Sequence, residues 1–383
     1  MQEAAVAGTC DARFAPVRDA FRNNFAALGE HGAAVSVYVD GRKVVDLWGG
    51  WANEARTAHW AEDSLVNVYS VGKGIAVLGV LSCIERGAID LDRPIAQTWR
   101  GFAQAGKAEI TLRQVLSHRA GLPAIAEPLP LGAAVDWPRM IGALERQAPW
   151  WEPGSKHGYH VNTYGYLVGQ CVRATNTQTL GQLLAERICG PLAADVYLGL
   201  PETLHARAVE FAFPATTVLE LLPPNVSDAE RMRWNAYSNP PDISGRGVIN
   251  TAAWRSAELA STNMHASARG IARLYAALAA GGVLEGVRIA DTQLLAEATR
   301  EHSVGVDFVL ERPSRFALGF QLTQPERPLG PNAGAFGHHG AGGSLGFCDP
   351  EVGLGFGYVM NTLGPRWQNP RNRALIEAVY ACL

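Results

Sequence analysis

The sequence predicts an α+β fold in which one sheet is assembled from both ends of the chain, with a mostly helical segment inserted between them. Three observations lead to this prediction. Strand-like segments rich in β-branched and aromatic residues occur near the start, within 34–48, and near the end, within 316–360. Segments with helical spacing, separated by loops rich in proline and glycine, fill the middle from about 95 to 250. The chain has 383 residues, of which 48% are apolar, enough to bury one large core or two lobes.

The N-terminal part is predicted to begin with a helix followed by a hairpin. Residues 12–30 carry apolar side chains at helical spacing, which indicates an amphipathic helix. Residues 34–38 and 44–48 are predicted strands, and the intervening Asp40-Gly41 is a strong hairpin signal. This hairpin is the first contribution to the predicted sheet.

Residues 70–85 are apolar on nearly every face, which predicts a helix buried on all sides. Gly72, Gly74 and Gly79 each weaken a helix by roughly 1 kcal/mol relative to alanine, so this helix depends on burial. Glycines also suit close backbone packing. Gly87 supplies the stop signal.

The rest of the chain divides into a helical middle and a strand-rich end. Four helices are predicted in the middle, at 111–117, 140–147, 163–173 and 180–188. Residues 199–250 contain many prolines and little periodicity, which predicts long loops over the surface or the site. The end is predicted to hold a helix, three strands and a last helix, at 267–281, 316–322, 344–348, 355–360 and 373–382. One domain is therefore expected, with an α/β lobe at about 1–90 and 265–383 and a mostly helical lobe at about 91–264.

Composition excludes several classes of partner. The formal net charge is −3 and the four lysines are dispersed, so neither a nucleic-acid nor an anionic-membrane partner is expected. The six cysteines lie far apart without a Cys-x-x-Cys motif, which predicts buried free thiols. The N-terminus lacks the charge and hydropathy pattern of a secretion signal, and no stretch of about 18 apolar residues occurs. A cytoplasmic protein is the expectation, and its oligomeric state stays open.

Residues 69–73, YSVGK, contain the only Ser-x-x-Lys spacing of the chain. On a helix, Lys73 would share a face with Ser70 and could reach its hydroxyl. Free N–H groups at a helix start stabilise negative charge and can form half of an oxyanion hole. Burial would disfavour the charged lysine and make it a better proton acceptor. The same spacing also fits an N-cap serine with a lysine that reaches solvent or an ion-pair partner, and spacing alone does not decide.

Two other motifs are weaker candidates for a site. Residues 342–346, GGSLG, match the G-x-S-x-G elbow of α/β-hydrolases, but that fold needs a histidine after the serine and none follows Ser344. Gly72-Lys73 lacks the upstream glycine of a phosphate-binding loop. Ser70 and Lys73 therefore remain the leading pair.

Further motifs surround this pair in a characteristic order: 37–41 (VYVDG), 46–51 (DLWGGW), 116–123 (LSHRAGLP), 153–159 (PGSKHGY) and 336–340 (FGHHG). From about residue 15 to 380 the chain resembles the β-lactamase-related serine esterases, often called family VIII carboxylesterases. These are relatives of class C β-lactamases and D-Ala-D-Ala peptidases. The resemblance implies a β-lactamase/transpeptidase-like fold, in which an antiparallel sheet flanked by helices meets an inserted helical lobe and the site lies in the cleft between them.

The resemblance also assigns roles to individual residues. Ser70 matches the nucleophile and Lys73 the paired base. Tyr159 matches the tyrosine that shares the proton transfer, and the charge of Lys73 is expected to lower its pKa. Residues 237–241, YSNPP, spell the usual tyrosine motif literally, but the two prolines predict an extended loop where a helix should follow, so Tyr159 is preferred. His118 is expected to hold the helical lobe together.

Two departures from the β-lactamase pattern bear on the substrate. Val161 stands where those enzymes usually have an asparagine that contacts the lactam side chain. His338 replaces the lysine of the third motif, and a neutral histidine binds a carboxylate less well. We expect His338 to face the cleft and to bind substrate together with Gly340, while His339 faces away. The N–H of Ala341 is the expected second oxyanion donor.

The resemblance therefore implies a serine carboxylesterase that hydrolyses small-molecule esters with short acyl chains through an acyl-enzyme on Ser70. No metal or organic cofactor is implied. The same residues also fit a β-lactamase or D-amino-acid peptidase, an acyltransferase, or a catalytically inactive binding protein of this fold. The loops at 123–150 and 199–260 are expected to shape the pocket. Five tryptophans are candidates for its lining and equally for ordinary core: Trp137, Trp150, Trp151, Trp234 and Trp254.

Overall fold

The computed structural model describes residues 6–213, 225–365 and 367–383. Within these residues the central element is a nine-stranded sheet with the order β1-β3-β2-β14-β13-β12-β11-β10-β9, and each neighbouring pair is antiparallel. The remaining strands form a three-stranded sheet and a two-stranded hairpin. In chain order the strands are β1 (Val6–Cys10), β2 (Gly32–Val39), β3 (Arg42–Gly50), β4 (Val66–Asn67), β5 (Val196–Tyr197), β6 (His265–Ala266), β7 (Val283–Leu284), β8 (Val287–Arg288), β9 (Ser303–Val306), β10 (Pro313–Phe316), β11 (Gln321–Leu322), β12 (Phe336–His339), β13 (Leu345–Asp349) and β14 (Leu354–Met360).

Helices fill most of the middle of the chain and also occur towards both of its ends. They are α1 (Ala15–Ala27), α2 (Val71–Glu85), α3 (Leu112–Leu116), α4 (Trp137–Arg146), α5 (Thr163–Thr175), α6 (Leu180–Leu184), α7 (Asp228–Ser238), α8 (Ala252–Ser256), α9 (Ala268–Ala279), α10 (Thr292–Thr299) and α11 (Pro370–Tyr380). None of the described helices is both long and apolar enough to cross a membrane. All six cysteines are free, as predicted, and all but Cys10 are buried.

The sheet is assembled from both ends of the chain, as the sequence predicts. Strands β2 and β3 form the predicted hairpin, and Asp40 and Gly41 both have positive φ angles, 50° and 74°, as a type I′ turn requires. Strand β14 pairs with the other edge of β2, with Ala33 opposite Met360. The two ends of the chain therefore meet in the middle of the sheet.

The predicted buried helix is α2, and its glycines allow close packing. A Cβ atom at position 72 would lie 2.7 Å from the carbonyl oxygen of Ala260, and one at position 74 would lie 2.6 Å from the hydroxyl of Tyr275. A larger residue at either position would force these neighbours to move. The start of α2 is thus fixed against the backbone before β6 and against α9.

Several sequence predictions differ from the structure. Residues 228–238 form α7, where long loops were predicted, because Ser227 and Glu230 form a capping box that starts a helix without a strong apolar stripe. Residues 214–224 of the same predicted loop lie outside the described residues. The predicted strand at 316–322 is divided by a turn between β10 and β11. Periodicity also missed the short or edge strands β1, β9 and β12.

Candidate active site

Ser70 and Lys73 meet at the N-terminus of α2. The Nζ atom of Lys73 lies 3.0 Å from the Oγ atom of Ser70 and 3.2 Å from the carbonyl oxygen of Ser261. Ser70 occupies the N-cap position, but its side chain accepts no hydrogen bond from the first turn. The serine hydroxyl is therefore engaged with the lysine and does not cap the helix, which decides against the N-cap alternative.

Lys73 is fully buried, and burial holds the pKa of its ammonium group well below the usual range. Within the described residues no carboxylate forms an ion pair with it. A buried amine without a counter-ion is neutral over a wider pH range, and its lone pair can accept a proton from Ser70. The alternative of a lysine that reaches solvent or an ion-pair partner does not fit this environment.

The residue before the serine has a strained backbone. Tyr69 has a φ angle of +47°, a region that bulky residues rarely adopt. Its buried ring packs edge-to-face on Phe211 with centroids 5.3 Å apart. Such strain persists where surrounding packing enforces it, and it is common at functional sites. No sequence signal indicated this feature.

The ring of Tyr159 lies beside the pair. Its centroid is 4.8 Å from the Nζ atom of Lys73 and 5.7 Å from the parallel ring of Phe316. Trp367, which the sequence analysis did not single out, packs edge-to-face on it at 5.3 Å. The structure therefore brings together all three residues predicted to carry the chemistry.

Electrostatics at Tyr159 differ from the prediction. Burial raises the pKa of its phenol well above the usual value, and the nearby Ser70 hydroxyl lowers it only in part. The expected lowering by the charge of Lys73 is wrong because burial has the largest effect on this phenol and Lys73 is not among the groups that lower its pKa. The Tyr159 hydroxyl is buried and has no hydrogen-bond partner in the described chain. It is thus a protonated group that can donate to a bound ligand.

Hydrogen bonds to residues remote in sequence, and not regular secondary structure, hold the backbone at Tyr159. The N–H of Tyr159 donates to the Oδ1 atom of Asp307 at 3.0 Å. The residues on either side of Tyr159 both bind His118. The N–H of Gly158 donates to the carbonyl oxygen of His118, and the N–H of His160 donates to the Nδ1 atom of His118 at 3.2 Å. The His118 ring also packs edge-to-face on Tyr159, with centroids 4.9 Å apart. His118 and Asp307 therefore bracket the tyrosine.

The two histidines of the third motif point in opposite directions from β12. The ring of His338 lies 6.1 Å from the ring of Tyr159, and its Nε2 atom has no partner in the described chain. The Nδ1 atom of His339 instead meets the Oε1 atom of Gln321 at 3.0 Å. Burial lowers the pKa of both rings, that of His339 to about 3, so both are neutral at pH 7.

The end of β12 passes directly beside the segment that leads to Ser70. A side chain at Gly340 would collide with the carbonyl oxygen of Val68, so only glycine allows this approach. Ala341 begins a short 3-10 turn, and Ser70 precedes α2. Neither residue's N–H donates a hydrogen bond within the described chain. Both donors are therefore unused within the described residues.

The weaker candidates lie elsewhere. Ser344 is buried, and it precedes β13 instead of joining a strand to a helix, so the elbow alternative fails. Tyr237 is 51% exposed at the end of α7, not on the extended loop that the prolines predicted. Among the tryptophans, Trp254 lies in the main core, whereas Trp150 and Trp151 join the apolar cluster around Tyr159.

Comparison with known proteins yields matches along nearly the whole chain. The family model described as Beta-lactamase matches residues 18–381. The esterase/beta-lactamase LipL of Mycobacterium tuberculosis (strain ATCC 25618 / H37Rv) is 33% identical over 371 residues, which cover 94% of this chain and 83% of LipL. Two solved structures, a family VIII carboxylesterase and a penicillin-binding protein homologue from Caulobacter crescentus, each have 38% identity and a TM-score of 0.91, covering 99% of this chain and 100% of their own. These matches confirm the fold and the family resemblance predicted from the sequence.

Proposed function

The chain belongs to the beta-lactamase family, and on that premise we propose that it is a serine carboxylesterase. It hydrolyses carboxylic esters with short acyl chains through an acyl-enzyme on Ser70. The observation that carries the proposal is the contact between the buried Lys73 amine and the Ser70 hydroxyl at 3.0 Å. The carboxylesterase with 38% identity supports the same class of reaction.

Acylation begins when Lys73 takes the proton of the Ser70 hydroxyl. The serine oxygen attacks the ester carbonyl carbon, and the carbonyl oxygen becomes an oxyanion. The free N–H groups of Ser70 and Ala341 stabilise this charge, and a single donor of this kind commonly contributes about 3–4 kcal/mol. The start of α2 adds the favourable end of its helix dipole.

Tyr159 completes acylation as the acid. Because burial raises the pKa of its phenol, it keeps its proton until the carbon–oxygen bond breaks and the alkoxide needs one. The proton held by Lys73 then replaces the one that the tyrosine has lost. In deacylation a water molecule attacks the acyl carbon and gives a proton to the pair formed by Lys73 and Tyr159. This pair returns a proton to the Ser70 oxygen as it leaves the acyl carbon.

Two residues favour esters over β-lactams. Val161 offers no amide to a lactam side chain, and His338 is neutral where a lysine would bind a carboxylate. The cluster of apolar side chains around Tyr159 suits an uncharged acyl or alcohol group. The second candidate is a β-lactamase activity on the same residues, which the esterase/beta-lactamase LipL brings into consideration.

The purified protein should be assayed with p-nitrophenyl butyrate and with nitrocefin. We expect ester hydrolysis to dominate, and comparable turnover of the two compounds would contradict the preference for esters. A fluorophosphonate probe should label Ser70 in the wild-type protein and leave Ser70→Ala unlabelled. If the wild-type protein were not labelled, a binding role on this fold would replace the enzymatic one.

A further inference from the structure

A buried carboxylate outside the sequence motifs, that of Asp307, accepts a hydrogen bond from the backbone N–H of Tyr159. Asp307 is fully buried, just after β9. Its Oδ1 atom accepts three backbone N–H groups, those of Tyr159 at 3.0 Å, Val309 at 2.8 Å and Leu310 at 2.9 Å. Its Oδ2 atom accepts the hydroxyl of Ser314 at 3.2 Å. One side chain thus ties the segment of Tyr159 to the loop between β9 and β10.

The Asp307 carboxylate accepts hydrogen bonds that an apolar residue could not accept. No lysine or arginine forms an ion pair with Asp307 in the described chain, and the nearest cationic candidate is His157, whose Nε2 atom is 3.8 Å from Oδ2. Burial lowers the pKa of His157, so its ring is neutral at pH 7. A buried charge without an ion pair is costly, and it is retained here by four hydrogen bonds.

The loop held by Asp307 also forms part of the wall around the tyrosine ring. Phe308, Val309 and Leu310 belong to the same apolar cluster as Tyr159. A shift of the Asp307 carboxylate would therefore move both the backbone of the tyrosine and its surroundings. Displacements of about 1 Å can cost a positioned catalytic group roughly 10²-fold in rate.

We propose that Asp307 is a positioning residue that fixes the Tyr159 hydroxyl for proton donation to the departing alcohol. This inference rests on the proposed function, in which Tyr159 is the acid. It concerns an indirect action of Asp307, which holds the backbone of Tyr159 and whose charge also contributes to the raised pKa of the phenol. It predicts a defect that appears only when the leaving group needs a proton.

The first test compares two esters in Asp307→Asn. Ethyl butyrate releases an alkoxide that needs a proton, whereas p-nitrophenyl butyrate releases a stable phenolate. We expect kcat/KM for ethyl butyrate to fall about 10-fold and kcat/KM for p-nitrophenyl butyrate to change less than about 2-fold, because kcat/KM reports acylation and general acid catalysis is worth most for poor leaving groups. An equal loss with both esters would overturn the proposal, as would wild-type rates with both.

Asp349→Asn is the matched control. Asp349 is also fully buried and accepts three hydrogen bonds, from the N–H of Glu351, the amide of Asn332 and the hydroxyl of Tyr380. None of these groups belongs to the site. This variant should lose stability in thermal unfolding without changing the ratio of the two kcat/KM values.

A double-mutant cycle separates the inference from the proposed function. In a Tyr159→Phe background, Asp307→Asn should have no further effect on ethyl butyrate, because the group that it positions is gone. Independent, multiplying losses would overturn the positioning role alone. If Tyr159→Phe itself had wild-type rates with both esters, the acid role of Tyr159 in the proposed function would fall, and the inference with it.

If Asp307→Asn does not fold, Ser314→Ala tests the same positioning role. It removes the hydrogen bond to the Oδ2 atom and the 2.8 Å contact of the Ser314 hydroxyl with the Nε2 atom of His157, and it leaves the three backbone contacts of Asp307 intact. The same selective loss is expected at a smaller size, about 2- to 3-fold with ethyl butyrate, because the backbone contacts of Asp307 remain. An unselective loss, or no loss at all, would count against the proposal as strongly as it does for Asp307→Asn.

Discussion

The two halves of the candidate site are held in place by different means. Ser70 and Lys73 lie three residues apart at the start of a buried helix, and the helix itself sets the 3.0 Å contact between them. Tyr159 lies on a segment without helix or strand, between Trp151 and Asn162, and the side chains of His118 and Asp307 hold its backbone. The first half is determined locally, and the second depends on residues remote in sequence.

This difference predicts where substitutions should matter. On the helix, a change in a reacting side chain should affect chemistry and leave geometry intact. Around the tyrosine, a change in a residue that never meets the substrate should still affect the rate.

The largest effect is expected from Ser70→Ala. Loss of the nucleophile should reduce kcat for ester hydrolysis by about 10⁴- to 10⁶-fold, as in other serine hydrolases. Because the hydroxyl caps no helix N–H, the thermal unfolding midpoint should stay close to that of the wild-type protein. Hydrolysis of p-nitrophenyl butyrate near the wild-type rate would show that the nucleophile is misassigned.

Lys73→Met should reduce kcat by about 10²- to 10⁴-fold, the usual range for loss of a general base. Burial lowers the pKa of Lys73 in the folded protein below its unfolded value, so between the two values only the unfolded state binds the extra proton. Wild-type stability should therefore rise with pH across this window, and the methionine variant should lack that slope. Urea unfolding at several pH values measures it. A parallel pH dependence in both proteins would show that Lys73 is not buried as a neutral amine.

The pH dependence of activity should separate the halves. Because kcat/KM requires neutral Lys73, it should decline on the acid side as that amine gains a proton. Tyr159→Phe should keep this acid limb at the same pH while lowering the plateau. If the limb moved or vanished in the variant, the lysine and tyrosine would titrate as one coupled unit and not as two separately held groups.

The smallest effect on activity is expected from Gly72→Ala. Its Cβ atom would lie 2.7 Å from the carbonyl oxygen of Ala260, so we expect a loss of about 1–3 kcal/mol in the free energy of unfolding, as for other overpacked sites. The kcat should change less than about 3-fold, since the group at position 72 does not react. Gly142→Ala in α4 is the control. It meets only the flexible end of Arg146, at 3.3 Å, and should stabilise the protein by about 1 kcal/mol. Equal destabilisation by both substitutions would contradict the packing argument.

The sequence could predict what depends on local spacing. The helix at 70–85, the Asp40-Gly41 hairpin and the opposite directions of His338 and His339 all follow from periods of 3.6 or 2 residues. The contacts of Asp307, the strained φ of Tyr69 and the packing of Trp367 on Tyr159 arise from tertiary structure, and no spacing encodes them. The raised pKa of Tyr159 was missed for the same reason, since burial is a property of the folded molecule.

The pairing of β2 with β14 has a consequence for biosynthesis. The hairpin that contains β2 leaves the ribosome well before its partner β14, in which Met360 lies opposite Ala33. Until then the nascent chain exposes an unpaired strand edge, which can pair wrongly with other chains. The pairing of β2 with β14 joins segments that are far apart in sequence, and such topologies fold slowly. We therefore expect the nascent chain to be open to wrong pairing for longer than that of a protein whose sheet is built from consecutive strands.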